Sequence, residues 1–143
     1  MDCPFCMHEE TKVLESRGID HSLRRRRECL QCSNRFTTYE KAVFNLTVIK
    51  KDSREEPFNI QKLTTSIFKA CGKADSETTT LLARRVEQKI LKRKTNPIKT
   101  IEIGHFVMQE LKKFDKMAYV RFATIHKSID NPKALEKELQ TIT

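Results

Sequence analysis

The sequence predicts an α+β protein built from two unlike modules: a small β-rich unit over residues 1–45 and a larger unit over residues 46–143, where a short hairpin leads into four or five helices. Three observations predict it. Two Cys-x-x-Cys pairs stand 22 residues apart near the N-terminus. The segments between and just after them are rich in β-formers and alternate in character. Beyond Tyr39 the pattern changes to apolar residues at helical spacing, punctuated by recognisable caps.

In the first unit, "CPFC" supplies Cys3 and Cys6 and "CLQC" supplies Cys29 and Cys32. Each pair bends the chain into a knuckle that turns two thiolates onto one ion, and four such sulfurs make a closed tetrahedral Zn²⁺ site. Such a site has no open position for a catalytic water. Its zinc is therefore structural, one per chain, and stabilises a fragment too small to bury a core of its own. "TKVLES", "SLRRRREC" and "RFTTYE" read as the strands of a zinc ribbon. A disulfide pair and a redox dithiol are the alternatives for these cysteines, and His8 and His21 are read as loop residues, not ligands.

The ribbon also carries the arginines. Residues 1–40 contain seven basic and seven acidic side chains, so the whole excess of the +9 net charge lies further on. Within 17–35, however, Arg17, Arg24, Arg25, Arg26, Arg27 and Arg35 meet only Asp20 and Glu28. Alternation along a strand sends Arg24 and Arg26 to one face and Arg25 and Arg27 to the other. Arginine grips phosphate in bidentate fashion and reads guanine in the major groove, so the run is expected to bind nucleic acid. The plainer alternative is a solvated edge strand protected by its charge.

The second unit opens with β-like pieces around "NLTVIK" and a polar turn at Asp52 and Ser53. Asn59 is an expected N-cap for a first helix carrying Ile60, Leu63, Ile67 and Ala70, with Gly72 as its stop. A second helix starts at Ser76 with Leu82, Val86 and Ile90. A third starts near Thr100 and is expected to bury Ile103, Val107, Leu111 and Phe114. Asp115 caps a fourth carrying Ala118, Phe122, Ile125 and Ile129, and Pro132 starts a last one with Leu135 and Leu139. Lys50, Lys51, Arg54 and Lys62 form a set able to converge on polyphosphate near a helix N-terminus. A solvated basic face is the alternative, and no Walker-type glycine loop is present.

Several classes are disfavoured. No apolar run approaches the roughly 20 residues of a membrane span, and the N-terminus has no signal-like region, so a cytoplasmic protein is expected. An enzyme would need paired carboxylates, an activated nucleophile or an open metal site, none of which is seen. An RNA-binding ribbon would want more aromatics than Phe36 and Tyr39 beside the arginines. Cys71 is expected to be a small core residue. Arg84, Arg85, Lys89, Lys92, Arg93 and Lys94 form a cationic stretch, read equally as a DNA flank contact or a solubilising surface.

Taken with "CPFC", "RRRRECLQCSNRFTTYE" and "MAYVRFATIHKSI", the chain resembles the NrdR family, bacterial repressors of ribonucleotide reductase genes that join a zinc ribbon to an ATP-cone. The cone's V-x-K-[KR]-D-x5-F-x3-K-[IL] pattern is met by Val48, Lys50, Lys51, Asp52, Phe58, Lys62 and Leu63. The resemblance implies ATP or dATP as regulatory ligands, held by Val48, Lys50, Lys51, Glu56, Phe58, Lys62, Leu63 and His126. It implies double-stranded promoter DNA as partner, a homo-oligomer whose state follows the nucleotide, and a cytoplasmic, nucleoid-associated bacterial regulator. This chain departs from the family pattern at Met7, Ser33 and Ser53, where glycine is usual, and at His126 and Ile129, where tyrosine and phenylalanine are common. Met7 and Ser33 carry backbone strain if those positions need positive φ, whereas the turn position of Ser53 is expected to tolerate a small polar residue.

Overall fold

The computed structural model describes every residue from Met1 to Thr143. The chain forms two compact units, Met1–Phe44 and Asn45–Thr143. The boundary falls one residue before the expected one.

The first unit is an antiparallel sheet of order β1-β2-β3, formed by β1 (Thr11–Ile19), β2 (Ser22–Cys29) and β3 (Arg35–Glu40). Asp20 and His21, at φ 44° and 65°, make the two-residue turn between β1 and β2, since positive φ at both positions matches the strands' twist. Strand β1 shifts register between Val13 and Glu15, a bulge that resets which side chains face β2. The arginine-bearing strand β2 is the central strand. The edge-strand alternative is thereby excluded.

The second unit begins with β4 (Thr47–Ile49) and β5 (Glu55–Pro57), an antiparallel pair. Helix α1 (Ile60–Cys71) follows, capped by Asn59, whose side chain accepts from the Gln61 and Lys62 amides, and stopped at Gly72 with φ 65°. Next come α2 (Ser76–Lys92), β6 (Ile98–Lys99), α3 (Thr100–Phe114), α4 (Lys116–His126) and α5 (Pro132–Gln140). Strand β6 was not expected. It pairs parallel to β4 and puts β4 at the centre of the sheet β5-β4-β6. Ile67, Val86, Ile90, Ile98, Val107 and Leu111 fill the core between the helices and this sheet. Cys71 lies in that core, and burial raises its thiol above the usual range. No helix is long and apolar enough to cross a membrane.

Three expected core positions lie elsewhere. Phe114, at the C-terminal end of α3, is 44% exposed, and Ile125 is 81% exposed because α4 buries Ala118, Tyr119 and Ala123 instead. On α5 the buried side chain is not Leu139 but Glu138. Its carboxylate accepts from Lys127 Nζ at 2.9 and 3.0 Å and from the Tyr119 hydroxyl. Burial acts to raise this group, but those hydrogen bonds outweigh it and hold Glu138 below the usual carboxylate range. A polar lock thus docks α5 where an apolar stripe was expected.

The three departures from glycine all occupy left-handed backbone: Met7 at φ 63°, Ser33 at 59° and Ser53 at 68°. Ser53 closes the β4–β5 turn, its amide donating to Lys50 O at 2.9 Å. Ser53→Gly should therefore stabilise the second unit by up to about 1 kcal/mol. Thermal unfolding followed by helical circular dichroism, which the helix-free first unit does not contribute to, should rise by roughly 4 °C. An unchanged or lower midpoint would show that the serine carries no strain.

Candidate functional site

The two knuckles are built alike. Met7 N donates to Cys3 O at 2.8 Å and Ser33 N to Cys29 O at 3.1 Å, while Cys3 N reaches His8 O at 2.9 Å and Cys29 N reaches Asn34 O at 3.0 Å. The left-handed residue four positions after each leading cysteine lets the loop curl back under its sulfur. Cys3 Sγ lies 3.6 Å from Cys32 Sγ, Cys6 Sγ lies 3.6 Å from Cys29 Sγ, and all four sulfurs lie within 4.8 Å of one another. Metal–sulfur bonds of about 2.3 Å at tetrahedral angles separate sulfurs by about 3.8 Å, so the cluster has the dimensions of a Zn²⁺ thiolate site. Backbone amides of Phe5 and Gln31 donate to Cys3 and Cys29 sulfurs at 3.4 and 3.3 Å, as thiolates require. All four cysteines are free, and the sulfurs are too far apart for a disulfide.

Cys32 and Cys6 are shifted in opposite directions. A backbone hydrogen bond at Asn34, then bonds from the other cysteines, draw Cys32 down to about 6. A backbone bond at His8 lowers Cys6, but burial and its three sulfur neighbours push it up to about 12. A divalent cation resolves that conflict by taking all four as thiolates.

The six arginines fare differently from one another. Arg17 pairs with Glu15 at 2.5 Å, Arg25 with Glu40 at 3.4 Å and Arg35 with Glu28 at 2.9 Å. Glu28 also holds Lys12 at 3.0 Å. Arg27 spends its guanidinium on the Thr38 and Thr11 hydroxyls, at 3.1 and 3.3 Å. Arg24 and Arg26 have no ion-pair partner. They share one face of the central strand, opposite Tyr39 and Thr37 on β3. Outside the window 17–35, Glu15 pairs with Arg17 along β1 and Glu40 reaches Arg25 from β3, so Arg24 and Arg26 are the face cations with neither an ion pair nor a side-chain hydrogen bond within the sheet.

In the second unit, seven of the eight expected nucleotide residues line one cavity: Val48, Lys50, Glu56, Phe58, Lys62, Leu63 and His126. Its cavity volume is about 150 Å³, smaller than the roughly 300–1,000 Å³ of enclosed small-molecule sites, and it opens to solvent. Glu56 Oε1 accepts from Lys50 at 3.1 Å and Lys62 at 3.4 Å. The Lys50 hydrogen bond foremost, with Lys62 beside it, holds the Glu56 carboxyl below its usual range. Asn59 and Lys62 put the N-terminus of α1 at the same wall, where partial positive charge favours an anion.

The eighth residue, Lys51, is elsewhere. It lines an adjacent recess with Ser53, Lys99 and Thr100, and its Nζ donates to His126 O at 3.0 Å. Arg54 is also withdrawn, bound to Asp52 at 2.6 Å. Conversely, sequence reasoning missed Thr100, Gly104 and Phe122 as cavity residues. Phe122 and His126 stack with ring centroids 5.5 Å apart and planes 23° apart. A Cβ on Gly104 would fall 2.0 Å from the imidazole, so only glycine lets α3 pass beneath that ring. A lone glycine inside a helical pattern was the available signal. Burial first, then the charges of Lys51 and Lys127, lower the His126 imidazole from its usual range.

The fold and sites define a two-module protein, a metal-binding ribbon followed by a nucleotide-binding cone. Two family descriptions match: "Transcriptional repressor NrdR-like, N-terminal domain" over residues 1–40 and "ATP cone domain" over residues 46–132. Proteins named transcriptional repressor NrdR align along nearly their whole length. The one from Petrotoga mobilis is 44% identical over 99% of this chain and 96% of its own. The one from Corynebacterium glutamicum strain R is 40% identical over 98% and 95%, and that from Lactococcus lactis subsp. cremoris MG1363 is 40% identical over 100% and 99%. The chain belongs to the NrdR family.

The cysteine cluster yields a direct test. Freshly purified, reduced protein should contain about one zinc per chain, and Cys29→Ser should abolish both the metal and the ordered sheet of the first unit while helical circular dichroism persists. Metal analysis that finds no zinc would remove the ribbon assignment.

Proposed function

We propose that this protein is a nucleotide-responsive transcriptional repressor, not an enzyme, that binds promoter DNA of ribonucleotide reductase genes through its ribbon. ATP or dATP in the cone controls homo-oligomer state and DNA affinity. The reading belongs with a bacterial cytoplasm and the nucleoid. The observation that carries it is the cavity where Lys50 and Lys62 converge on a single carboxylate beside an aromatic wall of Phe122 and His126. Two cations already gathered around an anion are placed to take phosphate oxygens, and the stacked rings offer a flat surface to a purine. Exposed Phe68, Phe114, Met117 and Ile125 supply apolar surface on the cone's helices for self-association.

On the ribbon, Arg24 and Arg26 are the expected DNA contacts, while Arg25 and Arg27 hold the sheet. Tyr39, 67% exposed opposite Arg24, extends the same surface. Arg17 and Arg35 flank it and exchange Glu15 and Glu28 for phosphate on binding.

Two predictions follow from this division. Arg24→Ala and Arg26→Ala should each weaken promoter binding and reduce the log–log salt slope by about 0.9 per lost phosphate contact, with the fold unchanged. Arg27→Ala should instead lower the stability of the ribbon. Equal salt slopes for wild type and both face variants, measured by fluorescence anisotropy, would return the run to a solvated surface.

Lys62→Ala should weaken ATP and dATP binding about ten- to a hundredfold in calorimetry, because a charge-assisted contact is lost. Zinc content and affinity for DNA without nucleotide should stay as in wild type. Normal nucleotide affinity in this variant would place the triphosphate contacts elsewhere.

A further inference from the structure

We infer that Asn96 is the positioning residue that transmits the state of the cone's cavity to the joint between the two units. The inference rests on the reading above, in which an adenine nucleotide in that cavity alters DNA binding. The joint lies between Phe44 and Asn45, two residues before β4. The first residues of the second unit, 45–47, are gripped on both sides. On one side Phe58 N donates to Leu46 O at 2.7 Å, and Phe58 lines the cavity. On the other, Asn96 Nδ2 donates to Asn45 O at 3.0 Å while Asn96 Oδ1 accepts from Thr47 N at 2.9 Å.

The Asn96 amide stands where backbone pairing runs out. The β4–β6 ladder begins at Val48 opposite Ile98, and Pro97 has no N–H with which to extend it toward the joint. A planar amide offers a donor and an acceptor side by side, as a peptide group does, so the ladder continues through a side chain. Downstream, β6 runs directly into α3. Thr100, the first residue of α3, lines the cavity and donates through Oγ1 to Ile49 O at 3.1 Å.

Both attachments of segment 45–47 therefore lead within a few residues to a cavity wall, through Phe58 or through β6 to Thr100. A ligand that displaces the start of α3 relative to β4 moves Asn96, and Asn96 moves the backbone at residues 45–47, which is covalently continuous with the first unit. Asn96 is exposed and is neither a core residue nor a cavity-lining one. Its role is thus in coupling, a property separable from folding and from nucleotide affinity.

The test uses full-length, zinc-loaded protein as wild type, Asn96→Ala and Asn96→Asp. Calorimetry gives the affinities for ATP and dATP. Anisotropy with a duplex from the upstream region of the host's ribonucleotide reductase genes, and with a scrambled duplex of equal length, gives DNA affinity with and without each nucleotide. Asn96→Ala should bind nucleotide within about twofold of wild type yet lose at least about fivefold of the ratio between DNA affinities with and without nucleotide. Asn96→Asp, which keeps the acceptor for Thr47 but not the donor to Asn45, should fall between the two. An unchanged ratio in both variants, with a responsive wild type, overturns the role of Asn96 alone. Nucleotide affinity lowered tenfold or more also overturns it, since Asn96 would then shape the cavity. A wild-type protein whose DNA binding ignores both nucleotides overturns the underlying reading and the inference together.

Discussion

Four sulfurs bear the folding of the first unit, because almost nothing else there is buried. Among residues 1–44 only Cys3 and Cys29 are fully withdrawn from solvent. A three-stranded sheet with no apolar interior cannot offset its chain entropy by burial. The metal centre takes the place of a core, and its position matters for everything laid upon it. Cys29 is the last residue of β2, so the knuckle anchors directly the strand that carries the arginines. Their division between two faces, and the pairing of Arg25 and Arg27 with neighbouring strands, follow from that anchored register.

The second unit solves a different problem, that of keeping like charges together before a ligand arrives. Glu56 lies between Lys50 and Lys62 and accepts from both, which offsets the repulsion two lysines would feel in an open cleft. Around this ion cluster the wall is made by close approach. Gly104 lets His126 lie against α3, and Phe122 stacks beside the ring. Lys51 then ties the His126 carbonyl to the β4–β5 turn, so the end of α4 is fixed from the sheet as well as from its own helix.

Much of this was legible because the signals are local. The knuckles declare themselves by spacing, Asn59 and Gly72 mark the ends of α1 by their cap chemistry, and the cavity lysines fall in a motif whose members are close in sequence. What was not legible depends on partners distant in the chain. Glu40 reaches Arg25 only because β3 lies beside β2, and no window count around the arginines includes it. The two-residue β6 is too short to carry a periodicity, yet it centres the sheet. Helical spacing named Ile125 and Leu139 as buried, but α4 and α5 meet through Glu138, Tyr119 and Lys127. A polar lock of that kind leaves no apolar stripe to read.

The Glu56 carboxylate has a consequence for what the protein can hear. A cleft of bare lysines would accept inorganic phosphate, citrate or any other abundant anion of the cell, and would be occupied regardless of the nucleotide pool. Here the resting cleft already contains an anion, covalently part of the chain and therefore always present at high effective concentration. A newcomer must replace it. A single small anion exchanges one contact for another and gains little, whereas a nucleotide brings several negative oxygens and a flat ring for the Phe122–His126 wall. On the proposed reading, the tethered carboxylate sets a threshold that a lone small anion does not cross.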